Sequence, residues 1–268
     1  MPGEGSVPEI DTSTPSVARM YDYYLGGKDN YQVDREAADR VRAAVPEVGD
    51  LALENRAFLR RAVRFLVRRG VRQFLDIGSG LPTAGNTHEI AQEIVPDARV
   101  VYVDNDPVVL THGRALLATN EHTTVVQADL RRPGELVERA KATGLVDFDE
   151  PVGVLMMAIM HFLAEDERDA IMGGLRDALA PGSHLAASHV TAQGRPAEAA
   201  KQVEAVYAAT PTPLYFRDRD DIAPFFAGFE LYEPGLVTLD EWNPDNDPVD
   251  PSAGDVGKWG FCAVGRKP

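Results

Sequence analysis

The chain has 268 residues, of which 44% are hydrophobic, and is long enough to bury the core of one large α/β domain. Its 27 basic and 42 acidic side chains give a formal net charge of −15, which disfavours general attraction to nucleic acid and anionic membranes. The one cysteine, Cys262, excludes an intrachain disulfide and a cysteine-based metal cluster. No secretory signal and no apolar run of ~18 residues is present, so we expect a cytoplasmic protein without membrane, nucleic-acid or metal partners.

The first quarter of the chain is predicted to be helical. Residues 1–15 are rich in Gly, Pro, Ser and Thr and are predicted to form a flexible tail. Apolar spacing predicts helices at residues 16–25, 34–44 and 51–69, which we interpret as an N-terminal helical extension over residues 16–70. The third helix is rich in arginine and could contact nucleic-acid phosphates, but in so acidic a chain a solvated face is the favoured interpretation.

From residue 71 onwards, strands and helices alternate. Two-sided burial is indicated by strands that read as nearly continuous apolar runs, and short loops between strands and helices indicate a parallel sheet. We predict an α/β, Rossmann-like core over residues 71–268, with seven strands, the last of them antiparallel, and helices on both faces. The predicted strands are residues 73–77, 99–104, 124–128, 152–158, 184–190, 229–239 and 259–264.

The first predicted strand runs directly into a glycine-rich loop, Gly78-Ser79-Gly80. Such a loop at the carboxyl end of a central strand lies at the usual ligand crevice of an open α/β sheet. A full dinucleotide fingerprint would place a third glycine where this chain has Thr83. The loop therefore favours a ligand without a pyrophosphate, although a tight turn without any ligand is the alternative.

Acidic residues end the next two predicted strands. A carboxylate at Asp104 can accept hydrogen bonds from both hydroxyls of a ribose, whereas Asp106-Pro107 is typical of a helix start. Asp129 could accept from the exocyclic amine of adenine while Leu130 packs on the ring, although Asp129 is also typical of a turn. Together with the glycine loop, this order predicts an adenosine compound. An NAD-dependent oxidoreductase is the first alternative, and the missing third glycine counts against it.

Three segments carry a resemblance to a known family: residues 18–31 (ARMYDYYLGGKDNY), 75–83 (LDIGSGLPT) and 101–107 (VYVDNDP). They resemble class I S-adenosylmethionine-dependent methyltransferases, and more narrowly a bacterial S-adenosyl methyltransferase family formerly catalogued as a domain of unknown function. The resemblance implies strand order 3-2-1-4-5-7-6 and S-adenosylmethionine as cofactor, with S-adenosylhomocysteine as product. It implies no particular acceptor.

The resemblance also implies roles for individual residues around the cofactor. Gly78, Ser79 and Gly80 would line the methionine and ribose, and Asp76 would reach the amino group. The remaining implied contacts are Asp104 to the ribose, Asn105, Asp129 and Leu130 to the adenine, and Ala158 to the methionine end.

The resemblance further implies that the N-terminal helical extension packs over the cofactor crevice as a lid. Arg19 and Met20 are the predicted contacts, with the Arg19 guanidinium able to pair with the methionine carboxylate. Tyr21, Tyr24 and Tyr31 could shape an acceptor pocket. The alternative is that Met20 and the tyrosines form an ordinary apolar helix face.

Methyl transfer needs mainly proximity and alignment, because the leaving group is already excellent. His161, just after the fourth predicted strand, is the candidate general base if the acceptor must lose a proton. The alternative is a partly buried histidine at a helix start. We predict an enzyme that methylates an oxygen or nitrogen atom of a small molecule. A non-catalytic regulatory protein that binds S-adenosylmethionine is the second alternative.

Overall fold

The computed structural model describes residues 11–82, 85–116, 120–245 and 256–268. These residues form a mostly parallel sheet with the order β3-β2-β1-β4-β5-β8-β6, and β7 also pairs with β8. β1 to β5 are parallel neighbours and β8 is antiparallel to β5, as predicted. The strands are β1 Gln73–Ile77, β2 Arg99–Asp104, β3 Thr123–Gln127, β4 Gly153–Met156, β5 His184–Val190, β6 Glu230–Leu231, β7 Val237–Thr238 and β8 Gly260–Arg266.

Helices cover both faces of the sheet and precede it. In the part of the chain that the structure describes, 3-10 turns at Met160–Phe162, Ala223–Phe226 and Val256–Trp259 supplement the α-helices. None of the helices in the described ranges is both long and apolar enough to cross a membrane. The α-helices are α1 Val17–Tyr24, α2 Gln32–Ala44, α3 Val48–Arg68, α4 Thr87–Ile94, α5 Pro107–Leu116, α6 Pro133–Lys141, α7 Glu165–Ala178, α8 Ala197–Tyr207 and α9 Arg219–Ile222.

The prediction of a single strand over residues 229–239 is wrong. Two short strands, β6 and β7, flank a turn in which Pro234 has no amide hydrogen to donate and Gly235 adopts a φ of +88°. The sheet therefore has eight strands. Its order agrees with the predicted one when β6 and β7 are taken together as the predicted sixth strand. The position of Thr83 and the first ten residues of the predicted tail lie outside the described residues.

Alternate residues of each central strand pack into different apolar clusters. Leu75 and Val101 point into one cluster, while Phe74 and Val100 point into the other. All four side chains are fully buried, because strand residues alternate between the two faces of a sheet that is covered on both sides. The core thus holds the tips of the strands in fixed register.

A buried carboxylate ties the N-terminal helices together. Asp34, in the first turn of α2, accepts hydrogen bonds from Ser16 N at 2.9 Å, Arg19 Nε at 2.7 Å and Tyr31 N at 2.8 Å. The hydroxyl of Ser16 also donates to Asp106, beyond the tip of β2, at 2.8 Å. These contacts hold α1 against the carboxyl ends of the strands.

Candidate active site

A cavity of about 540 Å³ opens at the carboxyl ends of the parallel strands. It lies between the tips of β1, β2, β3 and β4 on one side and α1 and α3 on the other. This is the crevice in which open α/β sheets bind ligands, and the volume falls within the ~300–1,000 Å³ typical of small-molecule sites.

The loop after β1 is shaped by two glycines in the left-handed region. Gly78 has a φ of +69° and Gly80 a φ of +64°. A Cβ atom on Gly78 would overlap the side chain of Ile159, whereas one on Gly80 would project into open space. Between them, the Ser79 hydroxyl is buried and has no hydrogen-bond partner among the described residues. A polar ligand in the cavity would satisfy that hydroxyl.

The Asp104 carboxylate uses only about half of its hydrogen-bond acceptor positions. Its Oδ2 accepts from Gly80 N and its Oδ1 from Asp106 N, each at 2.9 Å. Because a carboxylate has about four acceptor positions, it can take about two further donors, which matches the two hydroxyls of a ribose. Burial raises the pKa of Asp104 to about 6, so the group is ionised at neutral pH.

Asp76 lies in β1, beneath the loop that follows it. Its Oδ2 accepts from Thr87 Oγ1 at 2.7 Å, and burial raises its pKa to about 6. The positive charge of Arg56 acts in the opposite direction on that pKa and therefore lies close by. Arg56 lines the cavity from α3 and donates to the Gly85 carbonyl at 2.6 Å. Sequence reasoning missed Arg56, because it is one of several arginines on a single predicted helix.

Asn105, Asp129 and Leu130 line the outer part of the cavity beside Asp104. The carboxylate of Asp129 already pairs with Arg131 Nη2 at 3.0 Å and accepts from the Arg131 amide at 3.0 Å, as a turn residue does. Burial would raise the pKa of Asp129, but the hydrogen bonds and charge of Arg131 hold it below its usual value. Leu130 is buried and offers an apolar surface.

The two predicted contacts on α1 have different positions. Arg19 lines the cavity, but its guanidinium already donates to Asp34 and, through Nη2, to the Thr14 carbonyl at 2.7 Å. Met20 is fully buried in a cluster with Ala37 and does not line the cavity among the described residues. The placement of Met20 agrees with the alternative of an apolar helix face.

The chain turns sharply after β4. Ala158 has a φ of +53°, which is unusual for a residue with a Cβ atom, and the turn ends β4 at Met156. The Ala158 amide donates to Ser188 Oγ at 2.8 Å. The sharp turn places the following residues, including His161, on the wall of the cavity.

His161 is buried and uncharged at neutral pH. Burial lowers its pKa well below the usual value, and the neighbouring His189 and Arg217 side chains lower that pKa further. Its Nδ1 lies 3.5 Å from the Val190 amide nitrogen, a distance too long to fix which ring nitrogen carries the hydrogen.

A chain of hydrogen bonds, also missed from the sequence, links this turn to α1. Ser188 Oγ donates to Asn55 Oδ1 at 2.6 Å, and Asn55 Nδ2 donates to the Tyr21 hydroxyl at 2.9 Å. The Tyr21 hydroxyl in turn donates to the Ala52 carbonyl at 3.2 Å. No local pattern predicts these contacts, because Asn55 and Ser188 are 133 residues apart in sequence.

A Rossmann-like sheet with a glycine loop at β1 and a half-used carboxylate at the tip of β2 defines a class of α/β proteins that bind adenosine-containing cofactors. Within this class, the chain belongs to the S-adenosyl methyltransferase family, which residues 4–268 match. It is therefore an S-adenosylmethionine-dependent methyltransferase, as the resemblance implied, and not an NAD-dependent oxidoreductase.

Two solved structures are similar over nearly the whole chain. A candidate methyltransferase from Thermobifida fusca is 44% identical, with a TM-score of 0.89 and 97% of each chain covered. A DUF574 family protein from Streptomyces avermitilis is 39% identical, with a TM-score of 0.88 and coverage of 97% of this chain and 100% of the other.

More distant proteins share the fold alone. Human N-acetylserotonin methyltransferase in complex with S-adenosylmethionine is 12% identical, with a TM-score of 0.50 over 92% of this chain and 62% of the human one. No curated protein matches the sequence.

Proposed function

We propose that the enzyme transfers a methyl group from S-adenosylmethionine to an oxygen or nitrogen atom of a small-molecule acceptor. The observation that carries the proposal is a single cavity. It runs from Asp104 and Leu130 at the strand tips to His161 and Tyr207 at its inner end. Cofactor and acceptor can therefore meet in one continuous space of small-molecule size.

The residues at the outer end fit the adenosyl part of the cofactor. In this proposal Asp104 binds the ribose hydroxyls with its two remaining acceptor positions. Asn105, Asp129 and Leu130 surround the adenine. Gly80 leaves open space for the ribose and the methionine chain, Gly78 allows the loop to pack against Ile159, and the buried Ser79 hydroxyl gains a partner.

We assign the amino-acid end of the cofactor to Asp76 and Arg56. An ionised Asp76 attracts the ammonium group, and the neighbouring guanidinium of Arg56 attracts the carboxylate. Arg19 also lines the cavity, but binding the carboxylate would require its ion pair with Asp34 to be shared or broken. Arg19 instead supports α1 over the site.

When bound, the cofactor supplies a methyl group on positively charged sulfur. A lone pair of the acceptor would form a bond to the methyl carbon while the carbon–sulfur bond breaks and its electrons remain on sulfur. The protein's part is to align the acceptor and exclude water. An acceptor that must lose a proton can pass it to the uncharged imidazole of His161. The lowered pKa of His161 makes it a weak base, so alignment remains the larger contribution.

The test is incubation of the enzyme with isotopically labelled S-adenosylmethionine and a metabolite extract, alongside calorimetry with S-adenosylhomocysteine. We expect label in compounds of low mass and binding of S-adenosylhomocysteine. His161→Ala should keep that binding but lower turnover by about 100-fold if the acceptor needs a base. Label confined to protein or nucleic acid would contradict a small-molecule acceptor, and undiminished turnover of the variant would exclude the base role.

A further inference from the structure

The inner end of the cavity is walled by aromatic rings from four elements. Their positions in the chain are far apart, but the rings are close in space. The centroid of His161 lies 4.2 Å from that of Phe162 and 5.6 Å from that of His189, and Phe162 lies 5.9 Å from Tyr207. We call this wall the aromatic chamber; it consists of Tyr21, Tyr24, His161, Phe162, His189 and Tyr207.

All six rings are uncharged at neutral pH. Burial raises the pKa of Tyr21 and Tyr24, and that of Tyr207 to about 12, so the phenols stay protonated. Burial lowers the pKa of His189 to about 3, and it also lowers the pKa of His161. A flat aromatic ligand could therefore pack against several faces and edges without meeting a charge.

Acidic side chains are absent from this end of the cavity. The described acidic residues that line the cavity lie in the N-terminal segment or at the tips of β1, β2 and β3. Behind the chamber, Arg217 Nη1 lies 3.1 Å from His189 Nε2, and its charge lowers the pKa of both chamber histidines. An ammonium group bound here would lose its hydration without gaining a carboxylate partner among the described residues of this end of the cavity.

A negatively charged acceptor also lacks a partner in the chamber. Arg217 is buried and paired with Glu165 at 3.2 Å, and it does not line the cavity. A carboxylate on the acceptor would lose its hydration without gaining a cation among the six rings. The chamber therefore favours neutral ligands over ions of either sign.

One polar group in the chamber is unsatisfied. The Tyr24 hydroxyl is buried, and no hydrogen bond of ordinary geometry joins it to another described residue. The Tyr207 hydroxyl is near enough to affect its pKa, but it does not provide such a bond. A buried hydroxyl without a partner is costly, and a ligand could supply the missing group once the Tyr24 ring shifts to expose that oxygen to the cavity.

We propose that the methyl acceptor is an uncharged, planar aromatic compound. Its ring packs among Tyr21, Phe162 and Tyr207, and a second polar substituent, distinct from the atom that is methylated, pairs with the hydroxyl of Tyr24. This inference rests on the proposed function, because it places the acceptor at the inner end of the same cavity.

The test compares four probes of similar size, titrated by calorimetry into the enzyme loaded with S-adenosylhomocysteine. They are dihydroxynaphthalene, naphthol, hydroxynaphthoate and aminomethylnaphthol. We expect the two neutral probes to bind at least about tenfold more tightly than the anionic and cationic ones. Equal or tighter binding of a charged probe, or no binding of any probe at millimolar concentration, overturns the proposal.

A matched pair of variants on α1 tests the role of Tyr24. Wild-type enzyme should prefer dihydroxynaphthalene to naphthol by about three- to tenfold, the effect of one neutral hydrogen bond. Tyr24→Phe should abolish this preference, whereas Tyr23→Phe should keep it, because the Tyr23 hydroxyl bonds to Asp39 on the exposed side. A preference that survives in Tyr24→Phe overturns the assignment.

Affinity for S-adenosylhomocysteine, measured in the same variants, should not change. This control separates the two proposals. If S-adenosylhomocysteine binds and the extract yields a charged or aliphatic methylated product, the aromatic acceptor is wrong while the small-molecule methyltransferase stands. If label enters only macromolecules, the proposed function itself is wrong.

Discussion

Replacing Asp104 with Asn tests the proposed ribose contact most directly. In the wild type, both carboxylate oxygens accept a backbone amide, from Gly80 and Asp106, and each keeps room for one more donor. Asn has a single side-chain oxygen and adds an NH₂ group. It therefore cannot satisfy both amides and also accept two ribose hydroxyls.

The expected loss follows from these bonds. A hydrogen bond to a charged group contributes about 1.5–3 kcal/mol, so losing two charge-assisted bonds weakens cofactor binding by at least about 3 kcal/mol, or more than about 100-fold. Leaving one amide unpaired costs the fold about 1–3 kcal/mol, and removal of a buried charge offsets part of that cost. The variant should therefore fold.

Calorimetry with S-adenosylhomocysteine between pH 5 and 8 gives the readout. Because the ionised form of Asp104 binds the ribose and its pKa is about 6, wild-type affinity should be constant above pH 6 and fall below it. A single carboxylate that must be ionised gives about a tenfold loss of affinity per pH unit below its pKa. Asp76, whose pKa is also about 6, can make this fall in affinity steeper. In Asp104→Asn, the fall of affinity with decreasing pH should be shallower by about tenfold per pH unit, because this carboxylate is gone.

A control lies at the other end of the same strand. Asp97 is exposed and precedes β2, far from the strand tip, so Asp97→Asn should bind S-adenosylhomocysteine as the wild type does. If a folded Asp104→Asn protein bound within about threefold of the wild type, a contribution of 3 kcal/mol would be refuted. Wild-type affinity that stays flat down to pH 5 would refute the requirement for an ionised carboxylate.

Two further predictions concern the backbone around the cofactor. Gly80→Ala should destabilise the protein by only about 1 kcal/mol, the cost of a φ of +64°, yet weaken S-adenosylhomocysteine binding by more than tenfold because the new methyl group enters the cavity. Gly134→Ala, in open space on α6, should stabilise the protein by about 0.4–1 kcal/mol and leave that binding unchanged. Intact binding in Gly80→Ala would place the cofactor elsewhere. Ser188→Ala leaves the Ala158 amide and Asn55 Oδ1 without their partner. The free energy of unfolding measured by urea titration should fall by about 1–3 kcal/mol. An unchanged midpoint would show that the hydrogen-bond network does not stabilise the fold.

Much of the fold can be predicted from local sequence patterns. The bounds of β1 and β2 follow from apolar runs that end at a glycine or an acidic residue, and the structure has the predicted bounds for both strands and for β5. Nearly continuous apolar runs, together with helices of amphipathic pattern, are enough to specify a covered parallel sheet. The prediction of the sixth strand was wrong because it ran through Pro234-Gly235, a turn signal that the sequence itself contains.

The residues of the candidate site also fall into two groups, those that local sequence predicts and those that it does not. Gly78, Gly80 and Asp104 could be named from the sequence, because a loop directly after a strand must lie at that strand's tip. Arg56, Asn55 and Ser188 could not be named in this way. Their contribution depends on where the face of a helix or strand points after the chain has folded.

Sequence alone therefore determined the strand-and-helix pattern, the strand-tip residues and, through the resemblance, the family. Tertiary structure decided which side chains meet. It paired Arg19 with Asp34, buried Met20 among apolar neighbours, and gathered rings from four elements into one uncharged chamber. The physical reason is that contact and burial depend on distances between segments far apart in sequence, and these distances exist only once the sheet and its helices have packed.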